Sequence, residues 1–298
     1  YMGKVLVDDD IPDDCGVAIE YNMPQTAKRV DFLLTGKTAD QKDCLVIVEL
    51  KQWETAQKTE KDAIVVTRFA KGTAEVSHPS YQAWSYAALL EGYNEAVYDG
   101  GIRLSPCAYL HNYADHDGAI CDPFYADHIS RAPLFLKGET ERHRLQDFIK
   151  AHVRYGDKGQ ALYAIEGGRI RPSKSLADGL VGLLNGNPEF VLIDDQKLVY
   201  ETAVKMARTG KNGKKQVLIV EGGPGTGKSV VAINLLANLT KEGMVARYVS
   251  KNAAPRAVYT TKLKGIVKNS YVNNLFGGSG SFIECEPNLF DALIVDEA

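Results

Sequence analysis

Residues 222–229 read GGPGTGKS and match the pattern GxxxxGK[ST] at each constrained position. The motif follows an apolar run, Val217–Val220, that predicts a strand, and it precedes KSVVAINLLANLTKEG, which predicts a helix ending at Gly243. In that setting small residues let backbone amides curl around a phosphate chain, and the start of the helix adds its dipole. The motif therefore predicts a phosphate-binding loop in an α/β fold with a parallel sheet.

A loop of this kind predicts ATP and Mg²⁺ as cofactors. We expect Lys228 to reach the β- and γ-phosphates and Ser229 to ligate the metal. The loop residues expected at the nucleotide are Gly222, Gly223, Pro224, Gly225, Thr226, Gly227, Lys228 and Ser229.

The sequence ALIVDEA (292–298) supplies a second part of such a site. Asp296 ends an apolar strand, where a carboxylate that organises Mg²⁺ is expected. Glu297 is placed to act as the base that polarises a water molecule. An Asp-Glu pair is weak evidence alone, but the phosphate loop makes it strong.

The rest of the chain alternates predicted strands and helices, which indicates a parallel sheet. We expect strands in KRVDFLLTG (28–36), DCLVIVELKQW (43–53), IRLSPCAYLHNY and MVARYVS. We expect helices in QKTEKDAIVVTRFAKG (57–72), HPSYQAWSYAALLEGY, ETERHRLQDFIKAHV, DDQKLVYETAVKMA and AAPRAVYTTKL.

The strand predicted over Leu45–Val48 ends in two charges, Glu49 and Lys51, on the same side of the pleat. Burying charge is costly unless it is paired or holds a metal. Two interpretations stay open from these residues: an ion pair at the strand end, or a metal site.

Charge and cysteine content limit the partners and the compartment. Between Lys205 and Lys268 there are 13 Lys/Arg and two acids, although the whole chain carries −3. Such a basic block suits a polyanion, or is a solvated surface. Five scattered cysteines favour free thiols in a reducing cytoplasm. There is no stretch long and apolar enough for a membrane helix, so we expect no membrane partner.

The phosphate loop, the terminal DEA and the glutamine of DDQKLVYETA together resemble superfamily 1 helicases. In that resemblance Gln196 reads adenine, and YVSKNAAPR (248–256) contacts single-stranded DNA or RNA through Lys251, Asn252 and Arg256. The alternatives are that Gln196 is an ordinary exposed helix residue and that residues 251–256 are a solvated helix start.

Four segments, EYNMPQTAKRVDFLLTG, VELKQW, GGPGTGKS and YVSKNAAPR, resemble the bacterial Schlafen-group-3-like DNA/RNA helicase-domain family over roughly residues 20–298. Members carry a nuclease-like domain before the motor. The sequence stops at Ala298, directly after the predicted strand, so we expect a fragment without the second motor domain of the same protein. That domain carries an arginine finger, and we expect slow ATP hydrolysis without it.

Asp31, Glu49 and Lys51 resemble the core of PD-(D/E)xK nucleases, with Gln82 and Tyr86 resembling the Q-x-x-x-Y helix of their RecB-type branch. The resemblance implies that Asp31 and Glu49 bind Mg²⁺ or Mn²⁺ and that Lys51 acts on a bound water. Glu20 is a further candidate ligand. A salt bridge at the strand end, in a domain that no longer cuts, is the alternative.

We therefore expect a PD-(D/E)xK restriction-endonuclease-like mixed-sheet domain over 1–150, a connecting region over 151–188, and an incomplete RecA-like P-loop domain over 189–298. The expected function is an ATP-dependent nucleic-acid motor with metal-dependent phosphodiester cleavage. Family analogy alone suggests defence against phage or foreign DNA. The alternatives are a nuclease-dead regulatory NTPase that binds nucleic acid and a small-molecule kinase, and the oligomeric state stays open.

Overall fold

The computed structural model describes residues 1–23, 28–116, 118–169, 176–184, 190–210, 215–263, 274–282 and 285–296. The chain divides into two compact units, Tyr1–Ser173 and Lys174–Ala298. The division lies inside the expected connecting region 151–188. The part of that region before it belongs to the first unit, where Gln160–Gly167 packs as a helix on the sheet.

The first unit is built around one mixed sheet. Its helices are α1 (Met2–Leu6), α2 (Pro79–Tyr93), α3 (Glu95–Tyr98), α4 (Ala126–Arg131), α5 (Glu139–His152) and α6 (Gln160–Gly167). Its strands are β1 (Gly16–Asn22), β2 (Arg29–Lys37), β3 (Asp43–Lys51), β4 (Ala56–Lys58), β5 (Ile64–Phe69), β6 (Gly72–Ser77), β7 (Arg103–Leu110) and β8 (Leu134–Phe135).

The main sheet has the strand order β1-β2-β3-β7-β8. The first three strands are antiparallel to one another, whereas β3, β7 and β8 run parallel. Helix α2 provides the crossover from β3 to β7, which a parallel pair requires. The expected mixed sheet in the first half of the chain is confirmed.

The alternation of side chains along β3 separates two cores. Val46 and Val48 pack with α1 and α5, whereas Leu45 and Ile47 pack with Tyr86 of α2. Because successive side chains point to opposite faces, Glu49 and Lys51 continue the row that begins with Leu45 and Ile47. The strand therefore delivers both charges to the face covered by α2.

Helix α2 begins at a buried histidine. His78 Nδ1 accepts a hydrogen bond from the Ser80 backbone N–H at 3.2 Å, and Pro79 occupies the first turn. The Nε2 atom lies 2.9 Å from the Ile120 carbonyl, to which it donates, and the ring stacks on Tyr125. Burial lowers the pKa of His78 to about 4, so the neutral ring caps the helix.

The helix predicted over 57–72 is wrong, because these residues form β4, β5 and the start of β6. The three strands make a separate antiparallel sheet in the order β4-β5-β6. The run Ile64–Thr67 is rich in β-branched residues, which pack well on a pleated surface. Gly72 opens the return strand of a hairpin and does not end a helix.

The second unit contains a small parallel sheet with helices packed on it. Its helices are α7 (Leu176–Leu184), α8 (Asp195–Gly210), α9 (Lys228–Lys241) and α10 (Ala253–Leu263). Its strands are β9 (Ala246–Ser250), β10 (Phe276–Gly277) and β11 (Ala292–Asp296), in the order β10-β9-β11. The expected parallel sheet in this part of the chain is confirmed.

The strand predicted over Val217–Val220 is not formed. Residues 215–223 have neither helix nor strand, and Val217 is 83% exposed. The apolar sequence has the propensity for a strand, but a strand also needs a hydrogen-bonded neighbour. None of the described strands pairs with these residues: the sheet of this unit consists of β10, β9 and β11, and β11 pairs with β9.

Candidate functional site

The phosphate loop is shaped by two left-handed glycines and one lysine. Gly225 has φ of 75° and Gly227 has φ of 84°, a region that L side chains rarely adopt. Lys228 begins α9 directly after Gly227, and its Nζ donates to the carbonyls of Gly222 at 2.6 Å and Gly223 at 2.9 Å. The amine is thus held over the loop that precedes it.

The loop has room for a ligand on its outer side. A Cβ atom at Gly223 or Gly225 would meet no atom of the described residues within 4 Å. By contrast, a Cβ at Gly227 would clash with Gln196 Nε2. Pro224 is exposed and Ser229 is half-buried in the first turn of α9. Open glycine backbone, a lysine and the start of a 14-residue helix fit a polyphosphate.

Gln196, in the first turn of α8, lies against this loop. Its Nε2 donates to the Thr226 carbonyl at 3.0 Å, and its Oε1 accepts from the Ile193 N–H at 3.1 Å. Thr226 Oγ1 in turn donates to the Gly223 carbonyl at 2.9 Å. The structure therefore brings together the glutamine and the loop that the sequence placed in one site, and its role toward adenine stays a prediction.

Asp296 ends β11, and α9 packs against that strand. Its Oδ2 accepts a 2.5 Å hydrogen bond from the hydroxyl of Tyr248, a buried residue of β9. Burial, and then the charge of Asp296, raises the pKa of the neighbouring Tyr259. Sequence reasoning missed Tyr248, because 48 residues separate it from Asp296. Glu297 lies outside the described residues.

The predicted nucleic-acid contacts follow β9. Lys251 and Asn252 are exposed between β9 and α10. Arg256 lies in α10, but its side chain falls outside what the structure describes. The backbone thus keeps the three residues within one short segment, and their contact with a strand stays a prediction.

In the first unit, Glu49 and Lys51 form a buried ion pair. Lys51 Nζ lies 2.5 Å from Glu49 Oε1, with the side chains 16% and 3% exposed. The ammonium also lies 5.6 Å from the ring centre of Trp53, which packs in the core. The contact expected by the ion-pair interpretation is present, and metal binding by Glu49 stays a prediction.

Asp31 is in line with Glu49 across the sheet. The register of β2 and β3 pairs Phe32 with Val48, so the next position places Asp31 opposite Glu49. Asp31 Oδ2 accepts from the Leu50 backbone N–H at 2.8 Å, which ties the carboxylate to the end of β3. Both carboxylates therefore lie at the same end of the β2–β3 pair.

The predicted glutamine and tyrosine lie on helix α2. Gln82 Nε2 donates to the Tyr86 hydroxyl at 2.9 Å, one turn apart on α2. Tyr86 is buried against Leu33, Leu45 and Ile47. The structure therefore brings the Q-x-x-x-Y pair over the sheet face that ends in Glu49 and Lys51.

Glu20 is placed differently. The β1–β2 register puts it next to Asp31, but it has a positive φ of 50° and an exposed side chain. Its carboxylate pairs with Arg29 at 3.0 Å. This ion pair holds it at the surface.

The oxygen donors of Asp31 and Glu49 suit a hard divalent cation in type. They form a two-carboxylate set: within the described ranges no group of three His, Cys, Asp or Glu side chains could hold a metal. Water would have to complete the coordination shell. The set fits Mg²⁺ or Mn²⁺ in this limited sense, and metal binding stays a prediction.

Comparison with known proteins bears on the second unit. The model of the family described as Schlafen group 3, DNA/RNA helicase domain, matches residues 215–298. This stretch runs from the segment before the phosphate loop to Asp296 and beyond, and residues 1–214 lie outside it. The match supports a helicase-related, nucleic-acid-binding function at the level of the family. No curated protein and no solved structure matches the chain.

Two further findings concern membrane-spanning helices and the cysteines. Across the described ranges no helix is long and apolar enough to cross a membrane. Cys15, Cys44, Cys107, Cys121 and Cys285 are free thiols, as their spacing predicts.

Proposed function

We propose that the second unit is a RecA-like domain that binds ATP with Mg²⁺ and acts on DNA or RNA as part of a helicase-type motor. The hydrogen bond from Gln196 to the Thr226 carbonyl carries this proposal, because it places a side chain able to read a base beside the loop that suits the phosphates. The family match supports the class of partner.

The residues of the loop would change partners when nucleotide binds. Lys228 Nζ would exchange the carbonyls of Gly222 and Gly223 for phosphate oxygens, since it donates to those carbonyls now. Ser229 and Asp296 would hold Mg²⁺, which neutralises charge on the phosphates when bound. Lys251, Asn252 and Arg256 would contact the nucleic-acid backbone.

Binding of a fluorescent ATP analogue tests this assignment. Lys228→Ala should abolish binding, whereas Lys241→Ala, at the exposed end of the same helix, should not. Gln196→Ala should reduce the preference for ATP over GTP in competition. Unchanged binding by Lys228→Ala would refute the nucleotide site, and unchanged base preference would refute the role of Gln196.

We also propose that the first unit is a metal-dependent nuclease with a PD-(D/E)xK arrangement. The observation that carries this is the alignment of Asp31 and Glu49 across β2 and β3, with Lys51 on the same face. Gln82 and Tyr86 on the covering helix support it.

In this proposal the two carboxylates hold one divalent cation, which lowers the pKa of a bound water and stabilises charge on the phosphate. Lys51 is already positioned by Glu49, so its ammonium would orient that water or counter the developing charge. The buried ion pair alone favours the alternative, a unit that binds nucleic acid without cutting it and regulates the NTPase.

Cleavage of end-labelled DNA separates these two functions. The chain should cut single- or double-stranded DNA when Mg²⁺ or Mn²⁺ is present and should not cut it in EDTA. Each reaction is run with and without ATP for comparison. Glu49→Gln, which keeps the shape and removes the charge, should abolish cutting. Binding without metal-dependent cutting would leave the regulatory alternative. Defence against phage or foreign DNA is the setting we propose, by analogy with the family.

A further inference from the structure

The β4–β5–β6 sheet lies at the same end of the main sheet as Glu49 and Lys51. Trp53, Val65 of β5 and Leu110 of β7 pack in one cluster, and Leu110 is the register partner of Lys51. Lys51 Nζ itself lies over Trp53. The base of the β5–β6 hairpin is therefore fixed beside the strand ends that carry the candidate nuclease residues.

Only a few residues of chain separate Lys51 from the sheet that carries the hairpin. Thr55 is four residues beyond Lys51, which limits the separation of their Cα atoms to about 14 Å. The hydroxyl of Thr67 donates to the Thr55 carbonyl at 2.8 Å. Phe69 follows Thr67 by two residues, about 7 Å along the strand. The hairpin that carries the tip is thus joined to the candidate site by a short run of chain.

The tip exposes one aromatic ring. Along β5, Val65 and Thr67 are buried and Phe69 continues their row, yet Phe69 is 44% exposed. Its register partner is Gly72, which has no side chain to cover the ring. A Cβ atom at Gly72 would meet nothing within 4 Å among the described residues, so the space beside it is open.

Two cations are close to Phe69 in the sequence. Arg68 and Lys71 are exposed, and neither makes an ion pair with another part of the chain that the structure describes. The nearest acid on the hairpin, Glu75, is paired with Lys61 at 2.5 Å. The tip from Arg68 to Ala74 therefore carries two positive charges and no carboxylate.

We propose that this tip, Arg68, Phe69 and Lys71, binds single-stranded nucleic acid beside the candidate nuclease site. A phenyl face can stack on an unpaired base of any sequence, and the two cations match the phosphates on either side of it. The bases of a duplex are already stacked on each other, so a single strand is the partner that the ring can use. The inference rests on the proposed nuclease function, because strand binding at the tip would deliver substrate to that site. Its test measures binding and does not depend on cleavage.

Anisotropy of a labelled oligodeoxythymidine strand, measured with EDTA so that nothing is cut, tests the proposal. Phe69→Ala should weaken binding about tenfold, since stacking contributes about 1–3 kcal/mol per base. Phe69→Tyr, which keeps the ring, should bind as the wild type does. Tyr163→Ala removes a 71% exposed ring from α6 of the same unit and should have no effect.

The charges and the duplex give independent readouts. Arg68→Ala with Lys71→Ala should reduce the salt slope of single-strand binding by about 0.7 for each phosphate that the variant no longer neutralises. Phe69→Ala should leave that slope unchanged. Binding of a blunt duplex should be insensitive to Phe69→Ala.

Wild-type affinity in Phe69→Ala, or an equal weakening with the duplex, would overturn the proposal. Both Trp residues, Trp53 and Trp84, lie in the first unit, so tryptophan fluorescence during unfolding verifies that each variant is folded. The nuclease proposal fails separately, through the absence of cutting when Mn²⁺ is added to a wild-type protein that binds.

Discussion

The hydroxyl of Tyr248 donates a 2.5 Å hydrogen bond to Oδ2 of Asp296, from one parallel strand to the next. Tyr248 is 1% exposed and packs edge-to-face with Tyr259 and Phe276. The bond fixes one oxygen of the carboxylate that we assign to Mg²⁺. Tyr248 is thus a candidate positioning residue for the metal.

Tyr248→Phe should therefore raise the Mg²⁺ concentration needed for half-maximal binding of an ATP analogue by about tenfold. The physical reason is that a hydrogen bond to a charged group is worth about 1.5–3 kcal/mol. The phenyl ring stays, so the packing of the second unit should change little. Tyr259→Phe, in the adjacent ring, should have a smaller effect. An unchanged Mg²⁺ dependence in Tyr248→Phe would show that the bond is only structural.

Salt dependence tests the segment after β9. If Lys251 and Arg256 contact phosphates, Lys251→Ala with Arg256→Ala should reduce the slope of log affinity against log salt by about 0.7 per contact on a single strand. Fluorescence anisotropy at several salt concentrations measures it. A slope equal to that of the wild type would mean that this segment is a solvated surface.

Acid should destabilise the first unit through His78. Its pKa is about 4 in the folded protein against an ordinary value of 6.5, so the unfolded chain binds the proton first as pH falls. The contribution is complete above pH 6.5 and is lost as pH falls toward 4, up to about 3 kcal/mol. Urea unfolding followed by tryptophan fluorescence reports this unit, because both Trp residues lie in it.

His78→Asn is the matched variant, because asparagine also caps helices and does not titrate. It should be less stable at neutral pH, since the stack on Tyr125 is removed. Its stability should fall less steeply than that of the wild type between pH 6.5 and 4. Parallel pH profiles would contradict the assignment.

Local patterns predicted much of this molecule. Short sequence spacings define the phosphate loop with α9 and the Gln82–Tyr86 pair one turn apart. The sequence alone was therefore sufficient to predict these features. The apolar run of β3 likewise predicted a strand with both charges on one face.

The errors have physical causes. Residues 57–72 contain charged helix formers followed by β-branched residues, and the pairing of β5 with β6 decided for strands. Val217–Val220 has strand propensity but no partner among the described strands. Tyr248 became visible as a neighbour of Asp296 only through the pairing of β9 with β11, which sequence spacing does not encode.

The first unit's function depends on whether Asp31 and Glu49 bind a cation or Glu49 only pairs with Lys51. If the two carboxylates bind a cation, Mn²⁺ at a hundredfold excess over its dissociation constant should raise the free energy of unfolding of the first unit by about 2.7 kcal/mol. For a unit of this size that is a shift of about 5–10 °C. Glu49→Gln and Asp31→Asn should remove the shift, whereas Lys51→Ala should keep much of it and lose cleavage.

The most direct measurement is a thermal melt of the wild type and these three variants, with and without Mn²⁺, followed by tryptophan fluorescence. We predict that Mn²⁺ raises the melting temperature of the wild type and of Lys51→Ala, and leaves that of the two carboxylate variants unchanged. No shift in the wild type, with Lys51→Ala melting lower because Glu49 is left unpaired and buried, would contradict the metal site.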